Sequence, residues 1–307
     1  MQLPPPLQKG DTVALVSTAR KISQAEIQPA LELLSVWGLK FVLGNTIGAE
    51  SHQFAGDDSL RAEDFQTMLD APNIKAIWCA RGGYGTVRMI DLLDFSHFLK
   101  QPKWIIGYSD VTVLHNHVHQ LGVASLHAQM CLEIENKTEE TRESLRKVLF
   151  GESYRIEYTS SHPLQRNGNA SGRLVGGNLS MLYSLCGSPS SLETNKKILF
   201  LEDLDEHLYH VDRMMQNLKR NGMLKDLAGL MVGGMNDMKD HTKAFGFATD
   251  RPFGKTAEEI IFDAVKEYDY PVCFGFPVGH TKDNRALIMG REITLQISSN
   301  RVEVVYN

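Results

Sequence analysis

Short apolar runs alternate with amphipathic stretches along the first half of the chain. Thr12-Val13-Ala14-Leu15-Val16 reads as a strand. Ser23 to Gly38 follows as a helix, with Ile27, Leu31 and Leu34 on one side and Gly38 as its stop. The cycle recurs, with Ile74 to Cys79 as a strand, Thr86 to Leu93 as a helix, Lys103 to Tyr108 as a strand and Val111 to Leu121 as a helix. Strands alternating with helices predict a mostly parallel sheet covered on both faces, because parallel neighbours need a crossover between them.

After a helical segment from Glu139 to Leu149, the stretch Gly151 to Gly172 is polar and rich in Ser, Asn and Gly, and it reads as a linker. A second alternating region begins beyond it: strand Lys197 to Leu201, helix His207 to Lys219, strand Leu227 to Val232, helix Thr256 to Glu267. Glu292 to Ile297 and Arg301 to Val305 then alternate with period two around the turn Ser298-Ser299-Asn300. The expected fold class is α/β. A flavodoxin- or amidotransferase-like domain with a mostly parallel sheet spans 1–150, a linker 151–171, and a second α/β domain with a strand-rich C-terminus 172–307.

The 307 residues are 42% hydrophobic and 22% charged, enough for two cores. The net charge of -5 comes from interspersed acids and bases, which argues against nucleic acid or an anionic membrane as partner. No run approaches the ~18 apolar residues of a membrane span. Met1 to Pro6 has no charged segment leading into an apolar one, so a soluble, cytoplasmic chain is expected. Cys79, Cys131, Cys186 and Cys273 lack CxxC spacing and read as reduced packing residues, neither a disulfide framework nor a zinc cluster.

Ligands gather at the carboxyl ends of parallel strands. Arg81-Gly82-Gly83-Tyr84-Gly85 and Gly107-Tyr108-Ser109-Asp110 both fall at such ends. Trp104-Ile105-Ile106 runs through Gly107 straight into a helical pattern, so Ser109 sits on a sharp strand-to-helix turn. Such a turn pushes a hydroxyl out of the sheet, beside free helix N–H groups that can stabilise an oxyanion. Val111 stands where the last glycine of a G-x-S-x-G elbow would be. On this segment alone, Ser109 or Asp110 reads more readily as a helix cap.

A serine attacks only when a histidine takes its proton and a third group orients that histidine. Of the 11 histidines, His280 alone directly follows an apolar run within a Gly/Pro-rich loop, Gly275-Phe276-Pro277-Val278-Gly279-His280. Leu199-Phe200-Leu201 leads into Glu202-Asp203, which places a carboxylate at another strand end. Each has an ordinary reading: a loop histidine is usually just solvated, and a strand-end acid usually caps the next helix.

Five segments in order resemble the LD-carboxypeptidase family, and the resemblance covers nearly the whole chain. They are Arg81-Gly82-Gly83-Tyr84-Gly85, Gly107-Tyr108-Ser109-Asp110, Leu174-Val175-Gly176-Gly177-Asn178-Leu179, Leu201-Glu202-Asp203 with Asp212-Arg213-Met214, and Gly279-His280 with Asn284. The resemblance implies Ser109 as nucleophile, Glu202 as acid and His280 as base. It further implies a homodimer that removes a terminal D-amino acid from a murein tetrapeptide in cell-wall recycling. Triad chemistry needs no metal or organic cofactor. The sequence departs from the family's usual wording at Ser17-Thr18-Ala19-Arg20, where a Ser-rich turn with Pro is common. It departs again at His127-Ala128-Gln129-Met130 and at Leu287-Ile288-Met289-Gly290.

For that mechanism the N–H groups of Asp110 and Gly83 are the expected oxyanion donors. Arg81 is the expected partner of the substrate's free carboxylate, with pairing to a carboxylate of the protein as the alternative. Other signals fail. Phe253-Gly254-Lys255-Thr256 lacks the first glycine of a P-loop, since Thr249 stands there, and the match beginning Gly83-Tyr84-Gly85 ends on Arg88 rather than glycine. His115, His117 and His119 read as a polar helix face rather than zinc ligands. Two competing functions stay open. A microcin-immunity-type hydrolase of peptidyl-nucleotides should need an aromatic platform, whereas Trp37, Trp78 and Trp104 all precede the nucleophile. A non-catalytic peptide- or sugar-binding protein could use the same scaffold.

Overall fold

The computed structural model describes residues 1–307. They form two compact units, Met1–Tyr154 with Lys282–Arg291, and Arg155–Thr281 with Glu292–Asn307. In the first, strands β1 (Thr12–Val16), β2 (Lys40–Leu43), β3 (Ile74–Cys79), β4 (Trp104–Gly107) and β5 (Ser125–His127) run parallel in the order β2-β1-β3-β4-β5. Their connections carry α1 (Gln24–Val36), α2 (Asp58–Asp70), α3 (Thr86–Met89), α4 (Ser96–Lys100) and α5 (Thr112–Gln120), and α6 (Glu139–Leu149) follows β5. Strand β4 is buried throughout and β3 is buried except at Lys75, as their continuous apolar runs require. Because β2 and β3 lie on opposite sides of β1, the loops after β1 and β3 diverge and leave a crevice at the strand ends.

Local chemistry sets the helix boundaries. At the start of α1, Ser23 Oγ accepts from the Glu26 amide while the Glu26 carboxylate accepts from the Ser23 amide, a reciprocal cap that stabilises the helix by about 1 kcal/mol. Helix α2 carries a weak apolar pattern because Arg61 and Asp64 are buried on its inner side. Asp64 accepts from the Asn45 and Thr46 amides at 2.9 Å each, and Arg61 donates to the Thr18 carbonyl at 2.8 Å.

The second unit holds β6 (Arg155–Thr159), β7 (Gly168–Asn178), α7 (Leu179–Leu185), β8 (Ile198–Leu204), α8 (Leu208–Arg220), β9 (Gly229–Asn236), α9 (Ala257–Val265) and β10 (Val272–Cys273). The chain returns to the first unit with β11 (Leu287–Met289), antiparallel to β5 at the sheet edge. It then completes the second sheet with β12 (Glu292–Ile297) and β13 (Arg301–Tyr306). That sheet runs β10-β9-β8-β7-β12-β13-β6, parallel from β10 to β7 and antiparallel from β7 onward. Strand β7 serves both halves: Gly168–Arg173 pairs with β12 and Leu174–Asn178 with β8. Val211, Met214, Met215 and Leu218 of α8 join Ile260, Ile261 and Val265 of α9 in the core over β8 and β9, at the spacing of one helical face.

The structure departs from the expected boundaries in two places. The polar stretch 151–171 is no linker, since it contains β6 and the start of β7. Strand β6 is an edge strand with alternating exposure, so it lacks the apolar run that marks a central strand. Residues 282–291 belong to the first unit, because β11 finds its partner there. No helix is long and apolar enough to cross a membrane. All four cysteines are free, and Cys79, Cys131 and Cys273 are buried.

Candidate active site

Strand β4 ends at Gly107, Tyr108 is extended (φ -150°, ψ -171°), and Ser109 then takes φ 62° before the chain enters a short turn that leads into α5. A left-handed serine costs roughly 1–2 kcal/mol, and the turn after a strand is where such strain lifts a side chain off the sheet. The reversal also needs Gly107, where a Cβ would come within 2.8 Å of a Val111 methyl. The valine in place of the elbow's last glycine therefore packs onto the first.

Behind this turn His115 is fully buried, with Nε2 2.8 Å from the Gly107 carbonyl and Nδ1 2.8 Å from Ser125 Oγ. A carbonyl only accepts, so Nε2 carries the proton and Nδ1 accepts from the serine hydroxyl. Burial pushes the imidazole down to about 3, which keeps it neutral. His115 is thus a core residue clamping the strand end. The expected polar face is corrected here: His115 and His119 are buried and His117 is partly buried, because this side of α5 packs inward. No group of three or more His, Cys, Asp or Glu side chains is placed to hold a metal ion.

Polar contacts stitch three strand-end loops together. Asp110, 1% exposed, accepts from the Thr86 amide at 2.9 Å, and Thr86 Oγ1 donates to Thr18 Oγ1 at 2.8 Å. Burial raises the Asp110 carboxyl, against the opposing pull of its hydrogen bonds from Thr86 and the nearby Arg61 charge. The glycine loop after β3 borders the serine: a Cβ on Gly82 would lie 3.5 Å from Ser109 Oγ. The next amide, Gly83, donates to no backbone carbonyl. Arg81 turns elsewhere. Its Nη1 donates to the Lys21 carbonyl at 3.2 Å, and its charge helps hold the Glu26 carboxyl below the usual range, after the larger effect of the Ser23 hydrogen bonds. It lines a groove of about 260 Å³ with Lys21, Glu26 and Glu50. The structure thus groups Ser109, Asp110 and the Gly82-Gly83 step, and places Arg81 at the start of α1.

In the second unit Glu202 lies near the end of β8 and is fully buried. Its Oε2 accepts from His280 Nδ1 at 2.7 Å and from the His280 amide at 3.2 Å. With a carboxylate on Nδ1, that nitrogen carries the proton and Nε2 keeps its lone pair, the form a general base requires. The pairing depends on Gly279, whose φ is +106° and where a Cβ would come 2.7 Å from both Cβ and Oε2 of Glu202. The β8–β9 ladder breaks register between Leu201 and Asp203, and Gly233-Gly234 lie opposite the break. A bulge of this kind re-aims a side chain, here Glu202. On the other strand face Asp203 accepts from Asn178 Nδ2 at 2.8 Å, the Ser180 amide at 2.9 Å and the Leu204 amide at 2.9 Å. Burial, then the neighbouring Glu202 charge, pushes its carboxyl up to about 7.

Two α/β units, one with a strained serine at a strand-to-helix turn and one with an imidazole held by a buried carboxylate, carry the kinds of group that serine hydrolases use. Comparison with known proteins gives the same class a family. The chain matches the LD-carboxypeptidase N-terminal domain over residues 13–128 and the LD-carboxypeptidase C-terminal domain over 171–295. It is 34% identical over 299 residues to a probable murein peptide carboxypeptidase of Bacillus subtilis, covering 95% of this chain and 91% of that one. It is 29% identical over 300 residues to the murein tetrapeptide carboxypeptidase of Pseudomonas aeruginosa, covering 92% of each. The crystal structure of a muramoyltetrapeptide carboxypeptidase from Oxalobacter formigenes shares the fold, with a TM-score of 0.84 at 24% identity over 96% of this chain and 98% of that one. The chain belongs to the LD-carboxypeptidase family, Peptidase S66.

Sequence reasoning read His115 as part of a polar helix face and anticipated neither the Asp203 network nor the approach of Arg20 to Gly83. The first two are apparent only once α5 and β7 are packed. Arg20 had a signal, since it stands in the loop where the family commonly has a Ser-rich turn with Pro.

Proposed function

We propose that the protein is a serine-type LD-carboxypeptidase that releases the terminal D-amino acid from a murein tetrapeptide. In this reading Ser109 attacks the carbonyl of the bond between the L-centre and the terminal D-residue. His280 Nε2 takes the hydroxyl proton and passes it to the departing amine, while Glu202 fixes the ring and stabilises the imidazolium. A water then hydrolyses the acyl-enzyme by the same proton relay. The amides of Asp110 and Gly83 are the proposed oxyanion donors. The observation that carries the reading is the 2.7 Å contact between His280 Nδ1 and a fully buried Glu202, because a carboxylate placed there has little purpose except to orient and charge-balance an imidazole. Relatives named as murein peptide carboxypeptidases supply the substrate class. Free, mostly buried cysteines suit the cytoplasm, where such peptides would be recycled. A homodimer remains part of the proposal.

The test is D-alanine release from a murein tetrapeptide by the wild type and by Ser109→Ala. The expected loss in kcat is at least ~10³-fold. Equal rates would refute Ser109 as nucleophile, and an inactive wild type would refute the substrate.

A further inference from the structure

We propose that Arg20, rather than Arg81, receives the terminal carboxylate of the substrate and makes the site that of a carboxypeptidase. The assignment rests on the reading of Ser109 given above.

Arg20 lies in the loop after β1, and Gly82-Gly83 in the loop after β3, on the two sides of the crevice where the strand order reverses. The arginine side chain crosses Gly83 closely, so that a Cβ there would meet Arg20 Cδ at 2.6 Å and Nε at 2.7 Å. The adjoining Gly82 faces Ser109 Oγ. Two consecutive glycines therefore have the hydroxyl against one and the cation against the other. Summing the bonds and contacts along this path, Ser109 Oγ and Arg20 Nε lie no more than about 13 Å apart. From an attacking oxygen through the scissile carbon to a carboxylate one residue on, and then to a guanidinium, is roughly 11 Å when extended. The two lengths are of the same order.

Among the cations of the same loops, Arg20 stands apart. Lys21 pairs with Glu50, Arg61 and Arg88 share Asp58, and Arg81 faces the Lys21 carbonyl and Glu26. Arg20 is exposed, and its guanidinium has no carboxylate partner. A planar fork of N–H donors, set across Gly82-Gly83 from the Ser109 hydroxyl and without a carboxylate of its own, suits a substrate carboxylate, which it can bind through two parallel hydrogen bonds. A peptide extended past the scissile bond would offer no charge at this position and leave the fork unanswered.

The experiment compares kcat/KM for a murein tetrapeptide ending in a free D-alanine carboxylate and for the same peptide ending in D-alaninamide, in the wild type and in Arg20→Ala, Arg20→Lys and Arg81→Ala. The wild type should prefer the free acid. Arg20→Ala should lose about 10- to 100-fold on the acid, mainly through KM, and little on the amide. Retained amide turnover also shows that the variant is folded. Arg20→Lys should fall between, since an ammonium keeps the charge without the fork, and Arg81→Ala should keep the wild-type preference. The proposal is overturned if Arg20→Ala keeps that preference, if it loses both substrates equally, or if Arg81→Ala abolishes the preference. A wild type that cleaves neither peptide rejects the underlying reaction and this assignment with it, whereas an active wild type with an unchanged Arg20→Ala rejects Arg20 alone.

Discussion

In the first unit the Ser109 hydroxyl is held by backbone geometry, and in the second the His280 imidazole is held by a buried charge. Ser109 owes its position to a left-handed φ of 62°, to the close fit of Gly107 on Val111 and to the clamp of His115 on the Gly107 carbonyl. His280 owes its orientation to one carboxylate with no exposed surface, aimed by a strand bulge and approached through Gly279. The difference teaches what each half should tolerate. A backbone-held group can lose its side chain without disturbing its surroundings. A charge-held group cannot lose the charge without losing its chemistry, because the imidazolium of the proposed mechanism then has no counter-ion.

The largest expected effect follows from removing that charge alone. Glu202→Gln keeps size and most contacts, yet should lower kcat by about 10³–10⁴-fold with little change in KM, through the wrong ring tautomer and an unbalanced imidazolium. Steady-state kinetics check this, and a loss below tenfold would mean that the buried pair is only structural.

An intermediate effect concerns stability and pH. The Asp203 carboxyl is pushed up to about 7 in the folded protein, against about 3.9 when unfolded. Between those values the folded state binds more protons than the unfolded one, so the protein loses stability as pH rises from about 4 to about 7. Asp203→Asn lacks this group and should lose less, a difference on the order of 3 kcal/mol across the window. Urea unfolding of both proteins at pH 4.5 and 7.5 measures it. A difference that stays constant with pH would contradict the shifted carboxyl.

The smallest effect belongs to the backbone-held side. Ser109→Gly relieves the left-handed strain and should raise stability by roughly 0.5–1 kcal/mol over Ser109→Ala, which retains it. Both variants should be inactive. Identical denaturation midpoints would mean that the turn stores no strain.

The same contrast explains what could be read from the chain. The strands β3, β4 and β8 and the turn at Ser109 were legible, because buried parallel strands are continuous apolar runs and a strand-to-helix elbow is short and local. Strands β6 and β11 were not. The first is a half-exposed edge strand in a polar stretch, and the second is a three-residue strand whose partner β5 lies about 160 positions earlier in the chain. Helix α2 was hidden by Arg61 and Asp64, whose burial is made possible by contacts that sequence spacing does not display. In the site, Glu202 and His280 were legible as strand-end and loop residues, but their pairing depends on the bulge opposite Gly233-Gly234, a feature of strand register. Arg81 drew attention through its glycines, while the neighbouring Arg20 reaches Gly83 from a loop 63 positions earlier in the chain.

The central claim is that Ser109 is a nucleophile driven by the His280–Glu202 pair. Its most direct test is covalent labelling with a fluorophosphonate, followed by intact-mass and peptide mass spectrometry. The account predicts a single adduct on Ser109 in the wild type, none in Ser109→Ala, and labelling slowed at least ~10²-fold in both His280→Ala and Glu202→Gln. An adduct on another residue, or unchanged labelling of Ser109 without His280, would contradict it.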